Sequence, residues 1–252
     1  MAETAATYPS LAGRDVVVTG GASGIGAEIV RGFVAQGAQV GFLDRDVAAA
    51  EALVAALGGA AAFRACDLRD IAALQTALAD LARVNGPATV LVNNAARDDR
   101  HDWRDVDVAY WDERMQNNLR HMFFAIQAVA PGMIAAGGGS IVNVGSNSWH
   151  EVAGGFPAYA TAKAGVEGLA RTMARDLGPH RIRVNSVIPG WVMTDRQRAL
   201  WLTPEAEAAQ LARQCLPDLI GPEAVARMVL FLASDDSAMC TAGAFPVTAG
   251  TV

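Results

Sequence analysis

Short runs of β-branched and aliphatic residues alternate along the chain with longer stretches whose apolar positions recur every three or four residues. The first kind predicts buried strands, the second helices that cover them. VVVT at 16–19 predicts a strand and 24–36 a helix; QVGFL at 39–43 and VAAAEALVAAL at 47–57 repeat the pair; AAFRA at 61–65 and IAALQTALADLA at 71–82 repeat it again. TVLVN at 89–93 is the strongest strand, followed by one long helical region over roughly 108–136. SIVNV at 140–144, a helix over 158–177, IRVNSVI at 182–188, a helix over 222–233 and a short strand near Ala244–Val247 complete the series.

Apolar strands alternating with helices specify a parallel sheet covered on both faces. The expected fold class is therefore α/β: one Rossmann-like, doubly wound domain over 1–252, with a sheet of about seven strands. Connections stay short until about residue 190. The stretch 190–220 is longer and carries the helical piece TPEAEAAQLARQ, and it is read as a lid over the active face rather than a second domain.

Composition narrows the class. Hydrophobic residues make up 52% of the 252 and charged ones 18%, enough apolar surface to offset chain entropy, so intrinsic disorder is excluded. A net charge of −6 argues against nucleic acid or an anionic membrane as the main partner. The three cysteines, Cys66, Cys215 and Cys240, are far apart in sequence, which favours neither a disulfide framework nor a metal cluster. MAETAATYPSLAGRD at the N-terminus has no signal-peptide pattern, and no run reaches the length of a membrane span, so a cytoplasmic location is expected. The 20 Lys and Arg residues include a single lysine, Lys163.

The first strand runs directly into Thr19-Gly20-Gly21-Ala22-Ser23-Gly24-Ile25-Gly26 and then a helix. Glycines let a pyrophosphate approach the backbone, and the helix N-terminus offers it free N–H groups. The Gly-Lys-Ser/Thr ending of a triphosphate loop is missing. Asp44 ends the second strand about 20 residues on, where a carboxylate accepts both adenosine ribose hydroxyls and repels a 2′-phosphate. That favours NAD over NADP, although the adjacent Arg45 could partly compensate, and Asp44 could instead cap the next helix. Asp67, ending the third strand, either meets the adenine amino group or caps the helix beginning near Asp70.

Tyr159 and Lys163 stand four residues apart on one helix, which puts them on one face. An ammonium beside a phenol favours the phenolate, which would make Tyr159 a usable general base. Ser146 follows the fifth strand at the same rim and could polarise the same substrate hydroxyl. An ordinary surface pair and a loop serine are the bland alternatives.

TGGASGIG (19–26), NNAA (93–96), Asn118 in NNLRH, Ser146, YATAK (159–163) and PGWVMT (189–194) together resemble the short-chain dehydrogenase/reductase family along nearly the whole chain. The resemblance implies that Tyr159 is the acid/base and that Lys163 tunes it and binds the nicotinamide ribose. It further implies that Ser146 holds the reacting oxygen, and that Asn118 holds a water linking Lys163 to solvent. It implies cofactor contacts at Gly20, Ser23, Gly24, Ile25, Gly26, Asp44, Arg45, Asp67, Leu68, Asn94, Ala95, Pro189, Gly190, Val192 and Thr194, no metal, and a homotetramer meeting through the 108–136 region and the Tyr159 helix. Ala96 stands where the family usually has glycine, and the chain ends AGTV rather than in a glycine-rich tail.

RDDRH at 97–101, YWDERMQNNLRHMFF at 110–124, GSNSWH at 145–150, the stretch around Cys215 and LFLASDD at 230–236 resemble the bacterial sugar dehydrogenases of that family. They imply oxidation of a cyclic aldose at C1, with an aldopentose such as D-xylose or L-arabinose as the favoured monosaccharide. Ser146, Asn147, Ser148, Trp149, His150 and Tyr159 would form the substrate site, with Trp191 and Trp201 descending from the lid, since sugars take hydrogen bonds at their edges and aromatic rings on their C–H faces. On the bland reading, Asp98, Asp99 and Arg100 are a solvated charge run, Trp149 is a core or subunit-contact residue and His150 is structural. Rival functions are a dehydrogenase of hydroxysteroids or 3-hydroxyacyl compounds and a non-catalytic NAD(H)-binding regulator.

Overall fold

The structure is a computed structural model, and it describes residues 6–251. Seven parallel strands form one sheet: β1 (Asp15–Thr19), β2 (Gln39–Asp44), β3 (Ala61–Ala65), β4 (Val90–Asn93), β5 (Gly139–Val144), β6 (Ile182–Pro189) and β7 (Ala244–Val247). Their order is β3-β2-β1-β4-β5-β6-β7. The chain winds outward from β1 in one direction, then returns to β4 on its other side, where Val16 faces Val40 on one flank and Val90 on the other. Loops leaving β1 and β4 therefore diverge and open a crevice at the carboxyl ends of the strands.

The helices are α1 (Gly24–Ala35), α2 (Val47–Ala56), α3 (Ile71–Asn85), α4 (Val108–Met115), α5 (His121–Ala135), α6 (Pro157–Leu177), α7 (Asp195–Trp201), α8 (Pro204–Arg213) and α9 (Pro222–Ala233). Side chains alternate across the sheet, as strand geometry requires. Val16, Val18, Val90 and Val92 pack with Ile29 and Phe33 of α1 and Val229 of α9 on one face. Val17, Leu91 and Ile141 pack with Leu78 of α3, Ile126 of α5 and Ala170 of α6 on the other. Both faces are thus dry, and burying each large side chain contributes about 2 kcal/mol.

The expected elements are present with ends shifted by a residue or two in most cases, and two differences stand out. The region expected as one helix over 108–136 is interrupted by a π-helical turn at Gln116–Arg120. Within it the Asn118 side-chain amide donates to the Arg114 carbonyl at 2.9 Å, competing with the backbone for the acceptor that a regular helix would use. The second is α7, whose sequence DRQRALW is too short and charged to show an apolar period; the Thr194 hydroxyl caps it by accepting from the Gln197 N–H. The same device, with aspartates, starts α2 at Asp46 and α3 at Asp70. Ala96 is not among the positive-φ residues, so its backbone conformation is open to any L-residue.

Leu91 is fully buried in β4 and Asp70 caps α3 in solvent. Leu91→Ala should therefore cost about 2–5 kcal/mol of unfolding free energy and Asp70→Ala about 1 kcal/mol, read as shifts in the urea midpoint at unchanged slope.

Candidate functional site

A cavity of about 720 Å³ opens at the carboxyl edge of the sheet. The turn after β1 forms its floor. Gly20 takes φ of +66°, and a Cβ on Gly26 would lie 1.8 Å from the Gly20 carbonyl oxygen. Only a glycine turn this tight brings the backbone and the α1 N-terminus flush with the cavity. The Asn94 amide clamps the turn, donating to the Gly20 carbonyl at 2.8 Å, while the Asn94 N–H donates to the Thr19 hydroxyl at 3.1 Å.

Asp44 stands at the end of β2. Its Oδ2 accepts from the Ala22 N–H at 2.9 Å and its Oδ1 from the Asp46 N–H at 3.0 Å, so the carboxylate is held against the glycine turn with lone pairs to spare. Helix capping falls to Asp46, not Asp44. Asp70 likewise caps α3, which leaves Asp67 to line the cavity with Leu68. The Arg69 guanidinium, 2.6 Å from Asp67, holds that carboxyl below its ordinary range. Gly20, Ser23, Gly24, Ile25, Gly26, Arg45, Asn94, Ala95, Pro189, Gly190, Val192 and Thr194 also line the cavity, so every expected cofactor residue comes to it. A cradle that a methyl group would fill, a helix N-terminus and a carboxylate at the second strand end fit a dinucleotide.

Toward the other end, β5 delivers Ser146 and the first turn of α6 delivers Tyr159. The Phe156 ring meets the Tyr159 ring edge-on at 5.7 Å. The Lys163 ammonium is buried, donates to the Val144 carbonyl at 2.7 Å and lies 5.8 Å from the centre of the Tyr159 ring. Ser146, Tyr159 and Lys163 all line the cavity.

The electrostatics differ from expectation. Burial pushes the Tyr159 phenol up to about 12, partly opposed by the Ser146 hydroxyl, with Asp98 raising it and Arg100 lowering it. Burial also brings the Lys163 ammonium down to about 7, against the pull of Asp98. Desolvation is the largest influence on Tyr159, and the groups that lower its pKa are Ser146 and Arg100 rather than the expected lysine.

Four placements correct the expected site. Trp149 and His150 stack on each other at 3.7 Å, and both donate to Glu167, 3.1 and 2.8 Å away; neither lines the cavity. The acidic partner on α6 turns them aside, and nothing in GSNSWH itself signals it. Asn147 does line the cavity and donates to Glu151, and Ser148 lines it beside Ser146. Asn118 is fully buried: its amide donates to Arg114 and its Oδ1 accepts from the Arg97 N–H at 2.7 Å, so its side chain has both ends engaged, and it is Asn117 that lines the cavity. RDDRH is not a solvated run. Asp98 lines the cavity and pairs with Arg196 and Gln197, Asp99 pairs with Arg97, Arg114 and Arg196, and the Arg100 guanidinium covers the Phe156 ring at 4.2 Å. Trp191 and Trp201 line the cavity as expected, and Cys215 stays outside it.

Comparison with known proteins bears on this geometry. Residues 20–251 match the protein family described as "Enoyl-(Acyl carrier protein) reductase". The "D-xylose 1-dehydrogenase" of Caulobacter vibrioides is 51% identical over 250 residues, covering 98% of this chain and 99% of that one. The chain belongs to the short-chain dehydrogenase/reductase family. It is an oxidoreductase of that family and binds NAD or NADP. A Rhizobium meliloti protein named "Probable galactose dehydrogenase" is 46% identical, covering 96% of each chain. The structure of a short-chain type dehydrogenase/reductase from Mycobacterium ulcerans superimposes with a TM-score of 0.91 at 28% identity, covering 97% of this chain and 90% of that one.

His121 was not among the expected site residues, and only its place beside Asn118 in NNLRH could have suggested it. It is fully buried, with Nε2 3.2 Å from the Ala95 carbonyl, so Nε2 carries the hydrogen. Burial, then the charge of Lys163, brings its pKa from 6.5 down to about 4. Between those values the unfolded chain binds a proton that the folded one refuses, so stability rises with pH and is lost as pH falls from about 6.5 toward 4. Full protonation should cost roughly 3 kcal/mol. His121→Gln keeps a donor for Ala95 and removes the titration; denaturation across this pH range should show the slope reduced by one proton.

Proposed function

We propose that this protein oxidises a cyclic aldose at C1 to the lactone, with an aldopentose such as D-xylose or L-arabinose as substrate and NAD as cofactor. The observation that carries the reading is the polar mouth of the cavity. The cavity that holds Ser146 and Tyr159 is also lined by the carboxylates Asp98 and Glu151, the amides Asn147 and Gln197, and the indoles Trp191 and Trp201. Such a lining matches hydroxyl groups around a ring with apolar C–H faces, and would set a steroid or acyl chain against charged and amide groups that it cannot hydrogen-bond. The relatives named for D-xylose and galactose support the same class.

In the proposed mechanism Tyr159 takes the proton of the C1 hydroxyl and Ser146 holds that oxygen. The oxidised nicotinamide, when bound, supplies the acceptor for the hydride leaving C1. Lys163 anchors the ribose beside it and passes the proton of Tyr159 outward. The Asn118 side chain is engaged by Arg114 and Arg97 within the π-turn, so a relay water there would be held by groups other than that side chain. Asp44 supports NAD because a carboxylate held at the end of β2 against the glycine turn would accept ribose hydroxyls and repel a 2′-phosphate. The 190–220 segment acts as a lid, tied down by Arg196 to Asp98 and Asp99 and by Arg213 to Glu151. The reading includes a cytoplasmic homotetramer, for which the exposed Val108, Trp111 and Phe123 on α4 and α5 offer apolar contact area. A single domain spanning 1–252 houses both subsites.

Three outcomes test this. Pentoses and hexoses with NAD should generate NADH absorbance faster than hydroxysteroids or 3-hydroxyacyl substrates, and the rate should climb with pH because the base must be deprotonated. Tyr159→Phe should bind NADH normally while turnover falls by about 10²-fold or more; near-normal turnover would exclude the phenol as base. Asp44→Ala should narrow the ratio of kcat/KM for NAD over NADP by about tenfold; an unchanged ratio would remove the ribose assignment.

A further inference from the structure

Asp98 follows β4 in the stretch RDDRH, and its carboxylate is one of five among the described residues that line the cavity. Two groups of the 190–220 segment fix it. Arg196 Nη1 donates to Oδ1, and the Gln197 side-chain amide donates to Oδ2 at 2.7 Å. The orientation of Gln197 is itself set, because its Oε1 accepts from the Trp191 indole N–H at 2.9 Å. Turning the amide over would break both bonds. Arg196 is held in turn by Asp99, 2.8 Å from Nη2, and Asp99 by the buried Arg114 at 2.7 Å. A carboxylate has about four lone-pair positions, and these two donors leave about two for a ligand.

Asp98 lines the same cavity as Ser146, Tyr159 and Lys163, and its charge acts on both Tyr159 and Lys163. The cation on the same side, Arg100, is drawn over the rings of Phe156 at 4.2 Å and Trp201 at 5.6 Å. Asp98 lines the same cavity as Ser146 and Tyr159, so its remaining capacity is open to a ligand held there. A neutral hydroxyl donor suits it, because Arg196 already balances the charge.

We propose that Asp98 is a specificity residue that accepts a hydrogen bond from the sugar hydroxyl adjacent to the reacting carbon, the C2 hydroxyl, in a pose imposed by Arg196 and Gln197. The assignment rests on the aldose reading above. It makes recognition of the sugar conditional on the 190–220 segment, because the carboxylate is oriented only when Arg196 and Gln197 are in place.

The test compares kcat/KM for an oxidised aldose and its 2-, 3- and 4-deoxy analogues in wild type and Asp98→Asn, with NADH binding confirming that the variant folds. A hydrogen bond to a charged group is worth about 10- to 100-fold, so wild type should prefer the parent over the 2-deoxy sugar by that factor. In D98N that ratio should shrink at least about fivefold while the 3- and 4-deoxy ratios stay put. If D98N fails to fold, Gln197→Leu serves, because it frees the carboxylate without removing it and should narrow the 2-deoxy ratio alone. An unchanged 2-deoxy ratio, or ratios that shrink together at every position, overturns the assignment while leaving the aldose reading intact. If wild type oxidises no aldose at all, the aldose reading fails and the assignment falls with it.

Discussion

One buried cation organises the reacting end of this molecule. Lys163 is drawn 2.7 Å from the Val144 carbonyl, the last residue of β5, and this bond ties helix α6 to the rim of the sheet. Tyr159, one turn earlier on the same helix, is thereby set beside Ser146, which leaves β5 two residues after Val144. The bond adds to the apolar packing of Ala170, Ala174 and Leu177 of α6 against the same face of the sheet. An ammonium with almost no contact with water is costly to keep, and burial lowers its pKa accordingly.

The same burial raises the phenol, to about 12. Lysine and tyrosine are thus both displaced toward their neutral forms by the dry interior. A group poised in this way responds strongly to a positive charge brought next to it, because Coulomb interactions gain strength where water is excluded. Bound beside Tyr159, an oxidised nicotinamide would supply such a charge. His121, neutral behind Lys163 and fastened to the Ala95 carbonyl, belongs to the same dry layer.

Charge pairing connects the two ends of the cavity. From Asp67, just beyond β3, contacts run through Arg69, Glu113, Arg114 and Asp99 to Arg196 on α7. Most of these groups are partly solvated, where a single pair contributes little. Arg114 is the exception, being buried, so its partners matter more to local order than the rim pairs do. The chain of contacts holds the 97–101 loop in shape and presents Asp98 to the cavity.

Much of this was legible in the sequence by itself. Apolar runs of four to eight residues between helical stretches specified a parallel sheet, since only strands buried on both faces dispense with polar alternation. The glycine turn, Asp44, and the Tyr159–Lys163 spacing were readable because each depends on near neighbours in the chain. Tertiary structure alone decided what depends on distant partners. Glu167 turns Trp149 and His150 aside from 18 and 17 residues away, Arg196 and Gln197 convert Asp98 from a surface charge into a cavity wall from about a hundred residues away, and Arg97 engages Asn118 in the π-turn. Even the direction of the Tyr159 shift needed the fold, because desolvation is set by everything packed around a group, whereas sequence spacing reveals only the one neighbour on its own helix.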